Sequence, residues 1–337
     1  MRRIKLLAFL IVLVLAGGAA WWMIAARAHE KGFEAWLDAR RAEGWQAEAE
    51  VSIAGFPNRL DLTLRDVALA DPQSGWAWSA PIFEIDNVIW DPTFYVATWP
   101  PEQTLAAPGA RAMLRSETMK ASFRAFRELR LPVERVSFEG MRLALEAEAG
   151  WTAGAERLAL HLRADPDAGP PNAYEFAGEA ARLRLPDFLR ARLDPAGALP
   201  QAVELASAQG RVALDRPLDR FALEGRKPGM THLSLKEARA EWGGLKLRVS
   251  GAAEADREGY AEGEFEIEAE NWKDMIDAAE AAGALDATFA ETLRTGLGFV
   301  ARLAGKGDRL NVSLVFSGGR ARIGPIPVGD APVMRRP

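Results

Sequence analysis

The sequence predicts a mainly β protein. In it, an elongated, curved antiparallel sheet follows an N-terminal transmembrane helix and a juxtamembrane helix, and amphipathic helices lie near the C-terminus. Three observations predict this class. An uncharged stretch of 21 residues begins at Leu6, apolar and polar residues alternate along most of the following chain, and Gly, Pro and Asp clusters separate the alternating segments. Such segments joined by short turns are typical of antiparallel sheets and not of βαβ units.

The uncharged stretch, residues 6–26, has the length of a membrane span. A helix rises about 1.5 Å per residue, so this one covers roughly 30 Å, the thickness of the hydrocarbon core. Arg2 and Arg3 precede it, and Trp21 and Trp22 lie near its far end, where aromatic rings favour the headgroup region. Positive charge before the span predicts a cytoplasmic N-terminus. We therefore interpret the first 27 residues as a cytoplasmic tip and single-pass inner-membrane anchor, with the bulk of the chain in the periplasm of a bacterial cell.

A cleaved signal peptide is the alternative interpretation of the same stretch. Ala26-Arg27-Ala28 matches the small-residue pattern of a cleavage site. The apolar stretch is longer than the about 7–15 residues of a typical signal peptide, which favours an uncleaved anchor. Both interpretations place the rest of the chain outside the cytoplasm.

A juxtamembrane amphipathic helix is predicted over residues 28–43. Phe33, Trp36 and Leu37 recur at helical spacing, and Gly44 stands where the helix should end. From residue 44 to residue 337 we predict one periplasmic β-rich domain.

The β-rich domain is predicted from the period of its apolar residues. Leu60, Leu62 and Leu64 alternate with polar residues, as in a half-buried strand. The same alternation recurs in segments 77–90, 119–125, 136–138, 143–147, 151–164, 174–185, 206–214, 233–242, 245–252, 260–269 and 310–316.

Two stretches interrupt the strands with a helical period. The first is short and covers residues 186–193, and the second is an insertion over residues 271–304. We expect Gly283 to break the second stretch and Asp286 to cap a further helix. Because they are amphipathic, these helices should pack on the sheet or plug one end of it. Residues 165–173, rich in Pro, Asp and Gly, are the predicted joint between subdomains.

Composition excludes several classes of function. The net charge of −5 provides no basic surface for nucleic acid. The absence of cysteine excludes disulfides, thiolate-bound metals and thiol nucleophiles, and three separated histidines leave little for a metal site. Glu264, Glu266 and Glu268 share one strand face, which is more typical of a solvated surface than of acid–base chemistry. We expect no catalytic residues, no metal, no cofactor and no enzymatic activity.

Arginine greatly outnumbers lysine, and its densest group is Arg124, Arg127 and Arg130. Two interpretations stay open. The excess reflects codon usage, or this basic patch meets the phosphate of an anionic lipid by bidentate bonding.

The segment that follows the anchor and the juxtamembrane helix, Val51-Ser-Ile-Ala-Gly-Phe-Pro-Asn-Arg-Leu-Asp-Leu-Thr-Leu64, resembles a known family. With the C-terminal segment 316–328 it is similar to domain of unknown function 2125, a family of uncharacterised proteobacterial envelope proteins. The most specific elements are Gly55-Phe56-Pro57 and Gly324-Pro325-Ile326-Pro327. We interpret Gly55, Phe56, Pro57, Gly324, Pro325 and Pro327 as structural turn residues, because Gly permits positive φ and Pro fixes φ.

Residues 233–272 resemble the AsmA-like segments of large envelope proteins. Both resemblances imply an N-terminal anchor, an AsmA-like β-groove, and a role in lipid handling or envelope integrity, without naming a catalytic residue. Our leading hypothesis is therefore non-catalytic binding of lipid or another hydrophobic envelope component. The alternative is a scaffolding protein of an envelope complex, and a hydrolase or transferase is least favoured. The candidate lining of the groove is Leu60, Leu62, Leu64, Leu143, Leu145, Leu247 and Val249.

Overall fold

A computed structural model describes residues 2–167, 169–195, 197–222, 227–303, 307–324 and 326–335. Within these ranges the chain is mainly β, with antiparallel strands and four helices, which confirms the predicted fold class. The elements are α1 (Arg2–Ala42), β1 (Gln46–Ala54), β2 (Arg59–Asp71), β3 (Trp76–Val88), β4 (Asp91–Thr98), β5 (Glu102–Ala107), β6 (Ala110–Arg115), β7 (Thr118–Ala125), β8 (Val133–Ala147), β9 (Thr152–Ala164), β10 (Ala173–Arg184), α2 (Asp187–Leu193), β11 (Ala202–Leu214), β12 (Met230–Trp242), β13 (Leu245–Ala255), β14 (Ala261–Glu270), α3 (Trp272–Ala281), α4 (Ala287–Leu303), β15 (Arg309–Ser317), β16 (Arg320–Ile323) and β17 (Ile326–Asp330).

The predicted anchor and the predicted juxtamembrane helix form one continuous helix, α1, of 41 residues. It ends where Gly44 adopts a φ of 91°, a conformation that glycine reaches without strain. Side chains of its apolar part are exposed, for example Phe9 at 65% and Val14 at 69%. Among the described residues this is the one helix long and apolar enough to cross a membrane. It fits a single-pass anchor, and a signal sequence would have the same character.

The second half of α1 packs on β1. Leu37 and Ala47 are almost fully buried, and Arg41 Nε donates a hydrogen bond to the Ala47 carbonyl at 2.7 Å. The Arg40 guanidinium lies 5.9 Å from the ring centre of Trp45, the residue before β1. Apolar burial and these contacts fix the polar half of the helix to the first strand.

The chain divides into two compact units. Unit 1 comprises Met1–Arg124 and Glu146–Ala149, and unit 2 comprises Ala125–Leu145 and Gly150–Pro337. In unit 1, β2 pairs with β1 and β3, the two halves of β3 pair with β5 and β4, and β5 continues to β6.

Three strands of unit 1, β4, β5 and β6, fall where no strand is predicted. In β4 nearly every residue is half-buried, without alternation between buried and exposed positions. The period-2 pattern on which the sequence prediction depends is therefore missing there.

In unit 2 the strands from β9 to β17 form a simple meander, each hydrogen-bonded to the next along the chain. The predicted boundaries of these strands agree with the structure to within a few residues as far as β15. The predicted helical insertion is confirmed as α3 and α4. Asp286 caps α4, because its Oδ1 accepts a hydrogen bond from Phe289 N at 2.9 Å.

Helices α3 and α4 cover one face of the sheet at β13–β15. The centre of their core is Trp272, which is 2% exposed, and Leu297 of α4 and Leu310 of β15 are buried beside it. Glu264, Glu266 and Glu268 lie exposed on the opposite face. The helices therefore close the apolar side of this part of the sheet.

Candidate functional site

The sheet of unit 2 has one charged face. Glu175 of β10 accepts hydrogen bonds from Arg163 of β9 and from Arg211 of β11, and these bonds, Arg163 first, lower the pKa of Glu175 below its usual value. Similar pairs continue across the strands: Arg157–Glu179, Arg248–Glu237, Arg248–Glu268, Lys246–Glu270 and Arg309–Glu270. Exposed pairs of this kind contribute little stability each, but they keep this face hydrated.

The opposite face carries two rows of aligned apolar side chains. The strand register places one residue of each strand from β9 to β13 in each row. The first row is Leu160, Gly178, Ala208, Ala238 and Val249, and the second is Leu158, Ala180, Ala206, Ala240 and Leu247. We call these ten residues the furrow.

The furrow has large walls and a floor of small residues. Its walls are on β9 and β13, four strand spacings apart, or about 19 Å at about 4.8 Å per spacing. At the floor, the side chain of Leu160 leans over Gly178, whose missing Cβ would lie 3.2 Å from Leu160 Cδ2. In both rows the positions on the three central strands, β10, β11 and β12, are Gly or Ala. The surface between the two walls is therefore lower than the walls themselves.

No element of the described chain buries the furrow. None of its ten residues is fully buried, and Leu160 is 51% exposed. On the same face at β14, by contrast, Phe265 and Ala269 are only 6% exposed. The apolar face is thus covered at one side of unit 2 and open at β9–β12.

Bulky side chains close one end of the furrow. Phe176 pairs with Gly210, and the ring tip of Phe176 lies 3.1 Å from where a Cβ of Gly210 would be. In the next row Tyr174 is 3% exposed, and its hydroxyl accepts a hydrogen bond from Leu218 N at 2.9 Å. This end is therefore packed and apolar.

The other end is polar, cationic and aromatic. Arg184 pairs with Gly154, and its guanidinium lies over that glycine. Among the residues that the structure describes, neither Arg182 nor Arg184 forms an ion pair, and both are exposed. Phe188 of α2 is 62% exposed, and Trp242 Nε1 donates a hydrogen bond to a carbonyl of the neighbouring loop. We call this end the mouth.

Concavities also exist on the charged face. One of about 860 Å³ lies over β8–β12 and is lined by Arg135, His161, Arg163, Glu175, Arg211 and Lys236, among others. Arg163 and Arg211 already bind Glu175, and Arg211 also pairs with Asp165 at 2.9 Å. Because Arg163 and Arg211 are already paired with carboxylates of the chain, we do not assign a ligand there. Within the described ranges no group of three His, Asp or Glu side chains is placed to hold a metal ion.

The structure separates the seven predicted groove residues. Leu60 and Leu64 are buried in unit 1, at 4% and 2% exposure, so they are core residues and not an open lining. Leu143 is 9% exposed. Leu62 and Leu145 are half-buried on the strands of Leu60 and Leu143.

Of the predicted lining, only the two residues of β13 lie in the furrow. Leu247 packs against the core under α3 and α4, and Val249 packs against the cluster around Phe265. They form a wall that is backed by a closed core. Alternation identifies the inward face of a strand but not which part of that face another element covers, which explains the difference.

The floor residues of the furrow are not among the lining residues predicted from the sequence. Gly178, Ala180, Ala206 and Ala208 are spaced by two residues on adjacent strands. Small residues at every second position are the signal that could have found them, since they leave a strand face low.

The predicted turns lie at the ends of hairpins. Gly55 has a φ of 99° between β1 and β2, and the Phe56–Pro57 peptide is cis. Gly324 has a φ of 54° between β16 and β17, and Pro327 lies in β17. Pro325 lies outside the described residues.

The predicted basic patch is already engaged by protein groups. Arg124 pairs with Asp91 at 3.0 Å. Arg130 pairs with Asp219 at 3.1 Å, and Arg127 also has an interaction partner. The charges of Arg124 and Arg130 are therefore compensated by carboxylates of the chain, which weakens the expectation of a phosphate site.

Comparison with known proteins adds one match. The family model described as "Uncharacterized protein conserved in bacteria (DUF2125)" matches residues 22–332. No curated protein and no solved structure matches the chain. The match includes the β1–β2 turn, the furrow and the helices that back its wall.

Proposed function

The chain belongs to the DUF2125 family of uncharacterised bacterial proteins, and we propose that it is a membrane-anchored protein that binds the acyl chain of a lipid in the furrow without catalysing a reaction. We further propose that its N-terminus is cytoplasmic and that the chain after residue 27 lies in the periplasm. The observation that carries the proposal is the open apolar furrow with one packed end and one cationic end.

The chemistry of the furrow supports an amphiphile with an anionic head. Walls of Leu and Val and a floor of Gly and Ala offer only apolar contact, and each buried methylene of a ligand contributes about 0.8 kcal/mol. At the mouth, Arg182 and Arg184 are placed to bind a carboxylate or phosphate. An acyl chain directed toward Phe176 with its head at the mouth satisfies both ends.

The anchor supports the same proposal. Tethering to a bilayer raises the effective concentration of the furrow near lipid. The ten furrow residues carry no titratable or nucleophilic group, so they supply binding and no acid–base or nucleophilic chemistry.

Scaffolding in an envelope complex is the second candidate. It is favoured by Leu129 of unit 2, which is 92% exposed in the segment after β7. An exposed leucine of this kind suits contact with a protein partner.

Native mass spectrometry of the full chain in detergent tests the lipid proposal. We expect one amphiphile per chain to remain bound at collision energies that remove the detergent, because the furrow holds it by apolar contact and by charge. A chain that releases all lipid together with the detergent would contradict the proposal, and a co-purifying protein in place of lipid would favour scaffolding.

A further inference from the structure

The β1–β2 turn contacts the membrane helix directly. Trp22 Nε1 of α1 donates a hydrogen bond to the Arg59 carbonyl at 2.7 Å. The rings of Trp22 and Phe56 meet edge to face, with centres 5.5 Å apart and an angle of 88° between the planes. An edge-to-face aromatic pair stabilises a contact by more than the burial of its apolar area alone. The turn is therefore fixed at the level of Trp22.

Trp22 lies at the boundary of the apolar part of α1. Next to it, Trp21 is 63% exposed and Ile24 is 62% exposed. This turn of the helix therefore has large apolar side chains on its surface. Tryptophan at the end of a span favours the headgroup region. If α1 crosses the bilayer, the β1–β2 turn is at headgroup depth.

A second turn of unit 1 lies beside the first. Ile89 N donates a hydrogen bond to the Asn58 carbonyl at 3.1 Å, which joins the β3–β4 turn to the β1–β2 turn. Trp90 of that turn is 60% exposed and Phe56 is 58% exposed. Two large aromatic side chains are thus exposed at the sheet end that contacts the anchor.

Charges lie directly behind these turns. Arg59 Nε is 2.8 Å from an Asp61 oxygen, and Arg59 Nη2 is 3.4 Å from an Asp86 oxygen. Burial raises the pKa of Asp86, repulsion from Asp61 adds to the rise, and Arg59 opposes it. Charged groups at this position would resist the hydrocarbon core, so contact stops at the interface.

We propose that the β1–β2 and β3–β4 turns insert Phe56 and Trp90 into the headgroup region of the membrane that holds α1. This rests on the proposed anchoring by α1. The strands of unit 1 then lie on the bilayer surface, held by α1 and by the two turns. The occupant of the aromatic patch is lipid, because the patch continues the surface of the anchor at Trp21 and Trp22.

The chain offers a sharp test because it contains no cysteine. A single cysteine introduced by Phe56→Cys carries an environment-sensitive fluorophore, with the full chain in vesicles of phosphatidylcholine and phosphatidylglycerol. The matched control is Trp76→Cys. Trp76 is also 60% exposed, and it pairs with Asp71 at the far end of β2. The 13 residues of β2 separate the two ends by about 40 Å at about 3.3 Å per residue.

We expect lipids with a nitroxide near the headgroup to quench the label at position 56 at least threefold more than the label at position 76. Iodide in the aqueous phase should quench the label at position 76 more than the label at position 56. Asn58→Cys, which keeps Phe56, should behave as position 56 does and guards against misfolding of the first variant. Equal quenching by lipid at positions 58 and 76 would overturn the proposal, as would binding of position 56 to a protein instead of lipid.

A further label separates this proposal from its premises. With Leu13→Cys in α1, quenching by lipid with a nitroxide deep in the acyl chain is expected. If the label at position 13 is quenched but the labels at positions 56 and 58 are not, the proposed insertion of the turns is wrong, and anchoring by α1 is still supported. If the label at position 13 is not quenched, α1 does not anchor the chain in the membrane, and the proposed insertion of the turns is wrong as well. Lipid retained in the furrow is measured separately, so neither result decides that proposal.

Discussion

Replacing Leu160 by glutamate is expected to lower lipid retention by the full chain at least tenfold. Leu160 forms a wall of the furrow and is 51% exposed, so the variant should fold. A bound acyl chain would strip water from the new carboxylate, which costs several kcal/mol, and each 1.4 kcal/mol is a factor of ten in affinity. The measurement is bound lipid per chain by native mass spectrometry.

The matched control for this variant is Ala177→Glu. Ala177 is exposed on the charged face of the neighbouring strand, where it pairs with His161. The same charge is added at the adjacent strand but on the hydrated side, so lipid retention should not change. Equal retention by the Leu160→Glu and Ala177→Glu variants, with unchanged melting temperatures, would show that lipid does not use the furrow.

Trp272→Ala is expected to lower the free energy of unfolding by about 3–5 kcal/mol. Trp272 is 2% exposed at the centre of the core that joins α3 and α4 to the sheet, and its removal leaves a cavity. Urea unfolding followed by circular dichroism in detergent measures the loss. Since the same core backs Leu247, we also expect weaker lipid retention.

Trp76→Ala is the control for the loss of a tryptophan as such. Trp76 is 60% exposed at the start of β3. Its replacement should change the free energy of unfolding by no more than about 0.5 kcal/mol. A similar loss in the Trp272→Ala and Trp76→Ala variants would contradict the role of α3 and α4 as a packed cover.

Local signals in the sequence were enough for much of the fold. The alternation of apolar residues located the strands from β9 to β15, and Gly283 and Asp286 located the break between α3 and α4. These signals depend on residues close in sequence, where strand period and capping act directly. In β4 nearly every residue is half-buried, so the alternation of apolar and polar residues that predicts a strand is missing there.

The furrow depends on distant residues and could not be predicted in the same way. Its rows exist only because Gly178 pairs with Ala208 and Ala208 with Ala238. Register shifts between Gln209 and Gly210, and again between Leu235 and Ala238, set that alignment. A bulge changes which residues share a face, and a single sequence does not reveal the partner strand.

The turn at Gly55 shows the same limit. Its residues predict a turn, and the structure places a turn there. Its contact with Trp22 is different, because the hydrogen-bonded residues are 37 positions apart and meet only after α1 packs on β1.

Photo-crosslinking tests most directly whether an acyl chain lies in the furrow. The full chain is placed in vesicles that contain phospholipid with a diazirine at the end of one acyl chain, and crosslinked peptides are mapped by mass spectrometry. We expect crosslinks on β9 and β11, at Leu158, Leu160, Ala206 and Ala208, in addition to those on the apolar part of α1. Crosslinks confined to residues 6–26 of α1 would contradict the proposed function.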